Sequence, residues 1–378
     1  MMLKSMNVHF QQLFLNKKRT LGQLILVGVS TSLIGCKTLN TNRLNKSIDQ
    51  QISSQTTNNY FQGLLIYDPV KKDTLYSHNS QKYFTPASNT KIITLYTSLK
   101  TLPEKIPALK YIAKNDTLYM EGTGDPSLLH PYFGDSTAIK FAKNYKNLFL
   151  YLNNFEESRY DPQRNDTLES PFMIDSTLTK SLLEEVLLKK VNIVQEMPNE
   201  EKQVLYSVSS DSLFKRMMEV SDNFLAEQLL ILSSSTLSDT LNSAKARKYI
   251  MDNYLQELEH PPRWVDGSGL SRYNLFTPGT MVYVLNKMYQ EIPRERLFNF
   301  FPVGGLTGTL KGRFNGDDRP YIYAKTGSLG NNYCLSGYLI TQSGKTLIFS
   351  FMNNHFTKSN SEVKQHMESI FEMIRDNY

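Results

Sequence analysis

Three short polar motifs constrain this chain more than any other feature: Ser88-Asn89-Thr90-Lys91, Ser221-Asp222-Asn223 and Lys325-Thr326-Gly327. A serine and a lysine three residues apart on a helix of 3.6 residues per turn return to nearly the same face, so hydroxyl and amine can meet. A serine hydroxyl is a poor nucleophile at its own pKa and needs an adjacent base. A lysine can be that base only when neutral, a state that burial and a second nearby cation favour. The spacing alone decides little. Ser212–Lys215 and Ser361–Lys364 repeat it in polar, amphipathic surroundings and read as solvated helix faces. Lys-Thr-Gly occurs once, at the end of a strand pattern, where the missing Cβ of Gly327 leaves room for a substrate backbone. What makes the trio specific is its order, with the first motif opening a helix and the last ending a strand.

The patterns around the motifs suggest an α/β sandwich. Phe61–Tyr67 and Thr74–Ser77 read as paired strands, and Pro86 introduces a helix over Ser88–Leu102 that Pro103 closes. Helical patterns follow at Ser210–Ser233, Ser243–Glu257 and Thr280–Tyr289. Strands are expected at Tyr321–Lys325, Tyr333–Ile340 and Thr346–Asn353, then a last helix at Glu362–Arg375. Helices at both ends of an antiparallel sheet are the layered arrangement such a pattern favours. Residues 104–205 are irregular and charged. Only Leu118–Glu121 (a strand) and Lys180–Lys190 (a helix) stand out, so the region reads as an inserted, partly surface segment.

The N-terminus reads as a targeting segment. Lys17-Lys18-Arg19 precedes an apolar stretch, Leu21–Ile34, that is short for a bilayer span. It ends in Leu33-Ile34-Gly35-Cys36, which is similar to a bacterial lipobox, so residues 1–35 are expected to be a lipoprotein signal peptide. Cys36 would be the lipidated residue, and 36–60 a polar tether to the membrane with room for one short helix. Residues 1–35 hold four of the cations and no acid, so most of the formal charge of +6 lies there, and the remainder gives no argument for nucleic acid. Cys334 is the one other cysteine, in an apolar strand pattern, and reads as a buried structural thiol. Gly267-Ser268-Gly269 lacks the outer glycines of a nucleophile elbow and reads as a turn, and no phosphate loop or Ser-His-Asp pattern is indicated.

With their flanks, the motifs resemble the low-molecular-mass class C penicillin-binding proteins, the D-alanyl-D-alanine carboxypeptidase/endopeptidase family. The resemblance rests on Phe84–Lys91, Gly124-Asp125-Pro126-Ser127-Leu128, Ser221–Glu227, Asp266–Ser271, Gly308–Arg313 and Ala324–Ser328, and covers about residues 61–130 and 205–355. It implies a β-lactamase/transpeptidase-like sandwich on residues 61–103 and 206–378, with a reduced insertion at 104–205 between the first two motifs. It implies Ser88 as nucleophile, Lys91 as base, Ser221 as proton relay and Asn223 as the group that holds substrate and orients Lys91. Lys325, Thr326, Gly327 and Ser328 would bind substrate, with the N–H groups of Ser88 and Ser328 as oxyanion donors and Lys325 helping to keep Lys91 neutral. The implied substrate is a peptidoglycan stem peptide, with β-lactams as inhibitors and neither metal nor cofactor. Two alternatives remain: a serine β-lactamase of the same fold, or a non-catalytic peptidoglycan-binding lipoprotein. Glu257 and Glu259 lack the motif context that deacylation by a β-lactamase would use.

Overall fold

The structure is a computed structural model that describes residues 41–54, 59–155, 176–317 and 319–378. Cys36 and the signal segment lie outside the described residues. The chain opens with helix α1 (residues 41–52), then strands β1 (Phe61–Asp68) and β2 (Asp73–His78). A 3₁₀ turn at Ala87–Thr90 leads into α2 (Lys91–Thr101). Next come β3 (Lys105–Lys114), β4 (Thr117–Gly122), α3 (Thr137–Ala142), β5 (Asn147–Tyr151), α4 (Ser176–Leu187), β6 (Val191–Val194) and β7 (Gln203–Ser209). Helices α5 (Ser210–Glu219), α6 (Asn223–Leu237), α7 (Ser243–Tyr254), α8 (Pro278–Glu291) and α9 (Arg294–Asn299) follow. The chain ends with β8 (Ile322–Leu329), β9 (Asn332–Ile340), β10 (Thr346–Asn354) and α10 (Asn360–Asn377).

The first sheet is antiparallel, in the order β2-β1-β10-β9-β8. Side chains alternate across a strand, and here both faces are covered. Leu335, Leu339, Phe349 and Phe351 face one way and pack with Val363, Met367 and Phe371 of α10 and with Leu44, Ile48 and Ile52 of α1. Cys334, Tyr338, Ile348 and Met352 face the other way, onto Ile92, Leu95, Leu229, Met281 and Leu285 of the central helices. The result is the expected three-layer sandwich. Its edges are well terminated: Ser359 and Glu362 form a capping box on α10, and Thr277 caps α8 ahead of Pro278 at the first helical turn.

The structure corrects the sequence reading at several places. Residues 41–52 form the one short helix for which the tether leaves room, but it is docked on the domain, with Leu44, Ile48 and Ile52 buried against the first sheet. The segment read as an irregular insertion builds a second, mixed sheet, β6-β5-β4-β3-β7, parallel at β4–β5 and β5–β6 and antiparallel elsewhere. It has its own core, with Leu118, Leu148, Leu150 and Val191 packed against Ile139 of α3 and Leu187 of α4. The single helix expected over Ser210–Ser233 is two. Ser221 adopts a left-handed φ of +62° and ends α5, and Asp222 caps α6 by accepting from the Leu225 N–H. Among the described residues, no helix is long and apolar enough to cross a membrane.

Candidate active site

The site forms where the 3₁₀ turn, the α5–α6 junction and the outer edge of β8 meet. Ser88 lies within the 3₁₀ turn, not in the α-helix, and Lys91 is the first residue of α2. Residues three apart eclipse one another in a 3₁₀ turn, so this geometry aligns the pair more closely than an α-helix would. Lys91 Nζ lies 3.0 Å from Ser88 Oγ. Ala87, just before the serine, takes a left-handed φ of +48°, which turns the partly buried Ser88 toward solvent.

Lys91 is fully buried and meets two further acceptors, Asn223 Oδ1 at 2.7 Å and the Ser268 carbonyl at 2.7 Å. Burial lowers its pKa to about 8, while the carboxylates of Glu227, Asp266 and Asp222 pull the other way. Burial is thus the largest cause that keeps Lys91 neutral. The two amines disfavour each other's charged form, and Lys325, fully buried, is held well below the ordinary lysine range by burial and by Lys91. Lys325 Nζ donates to Ser221 Oγ at 2.9 Å and to the Thr326 carbonyl at 2.7 Å.

Asn223 starts α6, and Ser221 holds its hydroxyl toward β8 from the left-handed position that terminates α5. The Asp222 N–H reaches back to the Met217 carbonyl at 3.1 Å, the long bond of a Schellman ending in which glycine is the usual left-handed residue. A serine there carries a backbone cost of roughly 1 kcal/mol to present a hydroxyl.

Strand β8 is an edge strand. Residues 302–304 cover its first half through Gly304 N–H to Ile322 O and Ala324 N–H to Pro302 O. From Thr326 to the exposed Ser328 its outer edge has no backbone partner among the described residues, so an extended peptide has an edge on which to lie. Gly327 does not leave room for substrate, as the sequence reading expects. A Cβ there would lie 2.4 Å from the Pro86 carbonyl oxygen and 3.0 Å from the Asn89 nitrogen, so the glycine lets β8 press on the nucleophile turn. The Asn89 side chain stitches that contact by donating to the Lys325 carbonyl at 2.9 Å.

All of Ser88, Lys91, Ser221, Asn223, Lys325, Thr326, Gly327 and Ser328 thus lie on these three converging elements. Four residues escaped assignment. Thr309 meets Thr326 hydroxyl to hydroxyl at 2.8 Å, Ser268 gives Lys91 a carbonyl, and Glu227 and Asp266 hold the loop that carries Ser268. The reading of Gly267-Ser268-Gly269 as a turn holds, yet the turn touches the base. The signal available was position: each lies inside a stretch already carrying the family likeness. Glu257, by contrast, bonds Tyr283 and, with Glu259, lines a separate hollow of about 300 Å³ beside α8 and β1.

The chain matches the D-Ala-D-Ala carboxypeptidase 3 (S13) family over residues 44–137 and 169–375. It belongs to that family. One curated relative, the D-alanyl-D-alanine carboxypeptidase DacB of Haemophilus influenzae, is 30% identical over 174 residues, which is 44% of this chain and 36% of the relative. Among solved structures, penicillin binding protein 4 of Haemophilus influenzae, complexed with a β-lactam, has a TM-score of 0.60 at 17% identity, covering 89% of this chain and 98% of that one. A predatory endopeptidase of Bdellovibrio bacteriovorus, Bd0816, in complex with an immunity protein, has a TM-score of 0.58 at 17% identity, covering 83% and 92%. These likenesses show that the S13 chain has the β-lactamase/transpeptidase-like fold.

Proposed function

We propose that this S13 chain is a serine D,D-peptidase that cleaves the D-Ala-D-Ala bond, or D,D-cross-links, of peptidoglycan stem peptides through an acyl-enzyme on Ser88. The observation that carries the reading is a buried lysine within 3.0 Å of an accessible serine, with a pKa lowered to about 8. Family membership and the carboxypeptidase activity named for the Haemophilus relative support the substrate class.

In the proposed reaction, neutral Lys91 takes the Ser88 proton as Oγ attacks the carbonyl of the penultimate D-Ala. The N–H groups of Ser88 and Ser328 receive the developing oxyanion, a role worth roughly 10²–10³ per donor in turnover. The C–N bond then breaks, and a proton passes through Ser221 to the leaving amine. Water attacks the resulting ester, releases the peptide carboxylate and restores Ser88. The terminal carboxylate of the substrate lies by Lys325 and Thr326. A bound anion there offsets the cost of a charged, buried Lys325, so substrate binding and its protonation reinforce each other.

The test is intact mass after incubation with benzylpenicillin. A single adduct mapping to Ser88, absent from Ser88→Ala, is expected. Rapid drug hydrolysis without a lasting adduct would point to a β-lactamase, and neither adduct nor hydrolysis to a binding protein. Because Lys91 must be neutral, acylation should fall about tenfold per pH unit below a limb near pH 8 and level off above it.

The proposal extends to location: an extracytoplasmic enzyme held to a membrane by lipid on Cys36. Support comes from Lys17-Lys18-Arg19, the apolar run and Leu33-Ile34-Gly35-Cys36. Fatty-acid labelling that persists in Cys36→Ala would refute the anchor.

A further inference from the structure

Two carboxylates lie beneath the nucleophile and its base, and the reaction written above uses neither. Glu227, on α6 one turn beyond Asn223, is buried. Its Oε2 accepts from the Gly267 N–H at 3.0 Å, and its Oε1 accepts from the Ser268 N–H at 2.8 Å and the Ser268 hydroxyl at 2.6 Å. Asp266 holds the other side of the same turn, accepting from the N–H groups of Gly269 and Ser271, each at 2.7 Å, and from the Asn274 side chain at 2.8 Å. The turn is pressed tightly into place. A Cβ on Gly267 would lie 2.6 Å from the Ala226 carbonyl oxygen, and one on Gly269 would lie 1.9 Å from the Ala87 carbonyl oxygen, next to Ser88.

The consequence concerns the direction of a lone pair. A neutral lysine has two N–H donors and one lone pair. Lys91 faces three groups: Ser88 Oγ, Asn223 Oδ1 and the Ser268 carbonyl. Carbonyl and amide oxygens only accept. When both N–H bonds are taken by Asn223 and Ser268, the lone pair is left aimed at the Ser88 hydroxyl. We propose that Glu227 is a positioning residue for the base, clamping the Gly267–Ser268 segment so that the Ser268 carbonyl fixes the orientation of neutral Lys91. This rests on the reading of Lys91 as the base. The charged or titrating groups facing Lys91 are Glu227, Asp266, Asp222 and Lys325, and the negative charge of Glu227 holds the Lys91 pKa up against burial.

The test uses Glu227→Gln and Glu227→Asp in the full chain, with the rate of benzylpenicillin acylation followed against pH. In the glutamine variant the amide NH₂ faces a backbone N–H and the charge is gone. The plateau should fall on the order of 10²-fold, the cost of misplacing a reacting group by about 1 Å, and the acid limb should move to lower pH. In the aspartate variant the charge stays but the reach is one methylene short, so the plateau should fall while the limb stays. An unchanged plateau in either folded variant overturns the proposal. So does a glutamine plateau that falls with no movement of the limb, because that outcome marks a structural role only. If the glutamine variant does not fold, the aspartate plateau decides. A wild-type chain that neither is acylated nor hydrolyses the drug would instead defeat the reading of Ser88 as nucleophile and, with it, of Lys91 as its base.

Discussion

Ser221 carries two demands that conflict. Its backbone occupies the left-handed position that closes α5, where glycine costs least, and its hydroxyl accepts from the buried Lys325 amine. Both Ser221→Gly and Ser221→Ala remove the hydroxyl, so comparing them isolates the backbone term. The glycine variant should be more stable than the alanine variant by about 1 kcal/mol in urea unfolding, and each should lose on the order of 10²-fold in turnover of D-Ala-D-Ala peptides. Equal stability would mean the left-handed turn carries no strain. At this scale the motif residues were legible because chemistry dictates their types: a nucleophile, a base and an amide. Glu227 was not. A glutamate within an apolar helix pattern looks like any solvent-facing residue until the loop at 266–274 folds over it, and that contact joins positions about forty apart in sequence.

At the scale of elements, the strands β8, β9 and β10 were legible because their two buried faces yield long apolar runs that end in turns. The division of α5 from α6 was not, because apolar residues run on from the amphipathic α5 into α6, which is buried nearly all round, and no glycine or proline marks the break. The second sheet was hidden for another reason. Strand β3 contains Pro107 and its pairing slips on both sides of it, and β6 is only four residues long, so neither shows a clean alternation. The docking of helix α1 was hidden because polar residues dominate its composition while three apolar positions, Leu44, Ile48 and Ile52, recur every fourth residue. If α1 is a structural helix and not a tether, Ile48→Ala should cost about 2–5 kcal/mol in urea unfolding. A tether would show no change.

Across the whole molecule, one polar network joins the second sheet to the central helices. Glu121 of β4 is almost completely buried, with Lys202 at 2.7 Å and Lys110 at 3.8 Å. Both lysines also meet Asp239, just past the end of α6, Lys110 at 2.9 Å and Lys202 at 3.3 Å, and Lys110 donates to the Ser235 carbonyl within α6 at 3.0 Å. The far end of that helix begins at Asn223, so the network fixes one end of an element whose other end holds the base. The two acids should differ in worth. Asp239 is largely exposed, and its pairs are screened by solvent, so Asp239→Ala should cost less than about 1 kcal/mol and less still in high salt. Removing Glu121 takes away the buried partner of both lysines and leaves them Asp239 and the Ser235 carbonyl. Glu121→Ala should therefore cost about 3 kcal/mol in urea unfolding, with little dependence on salt. Equal costs for the two substitutions would show that the network is a surface feature that does not fix the end of α6.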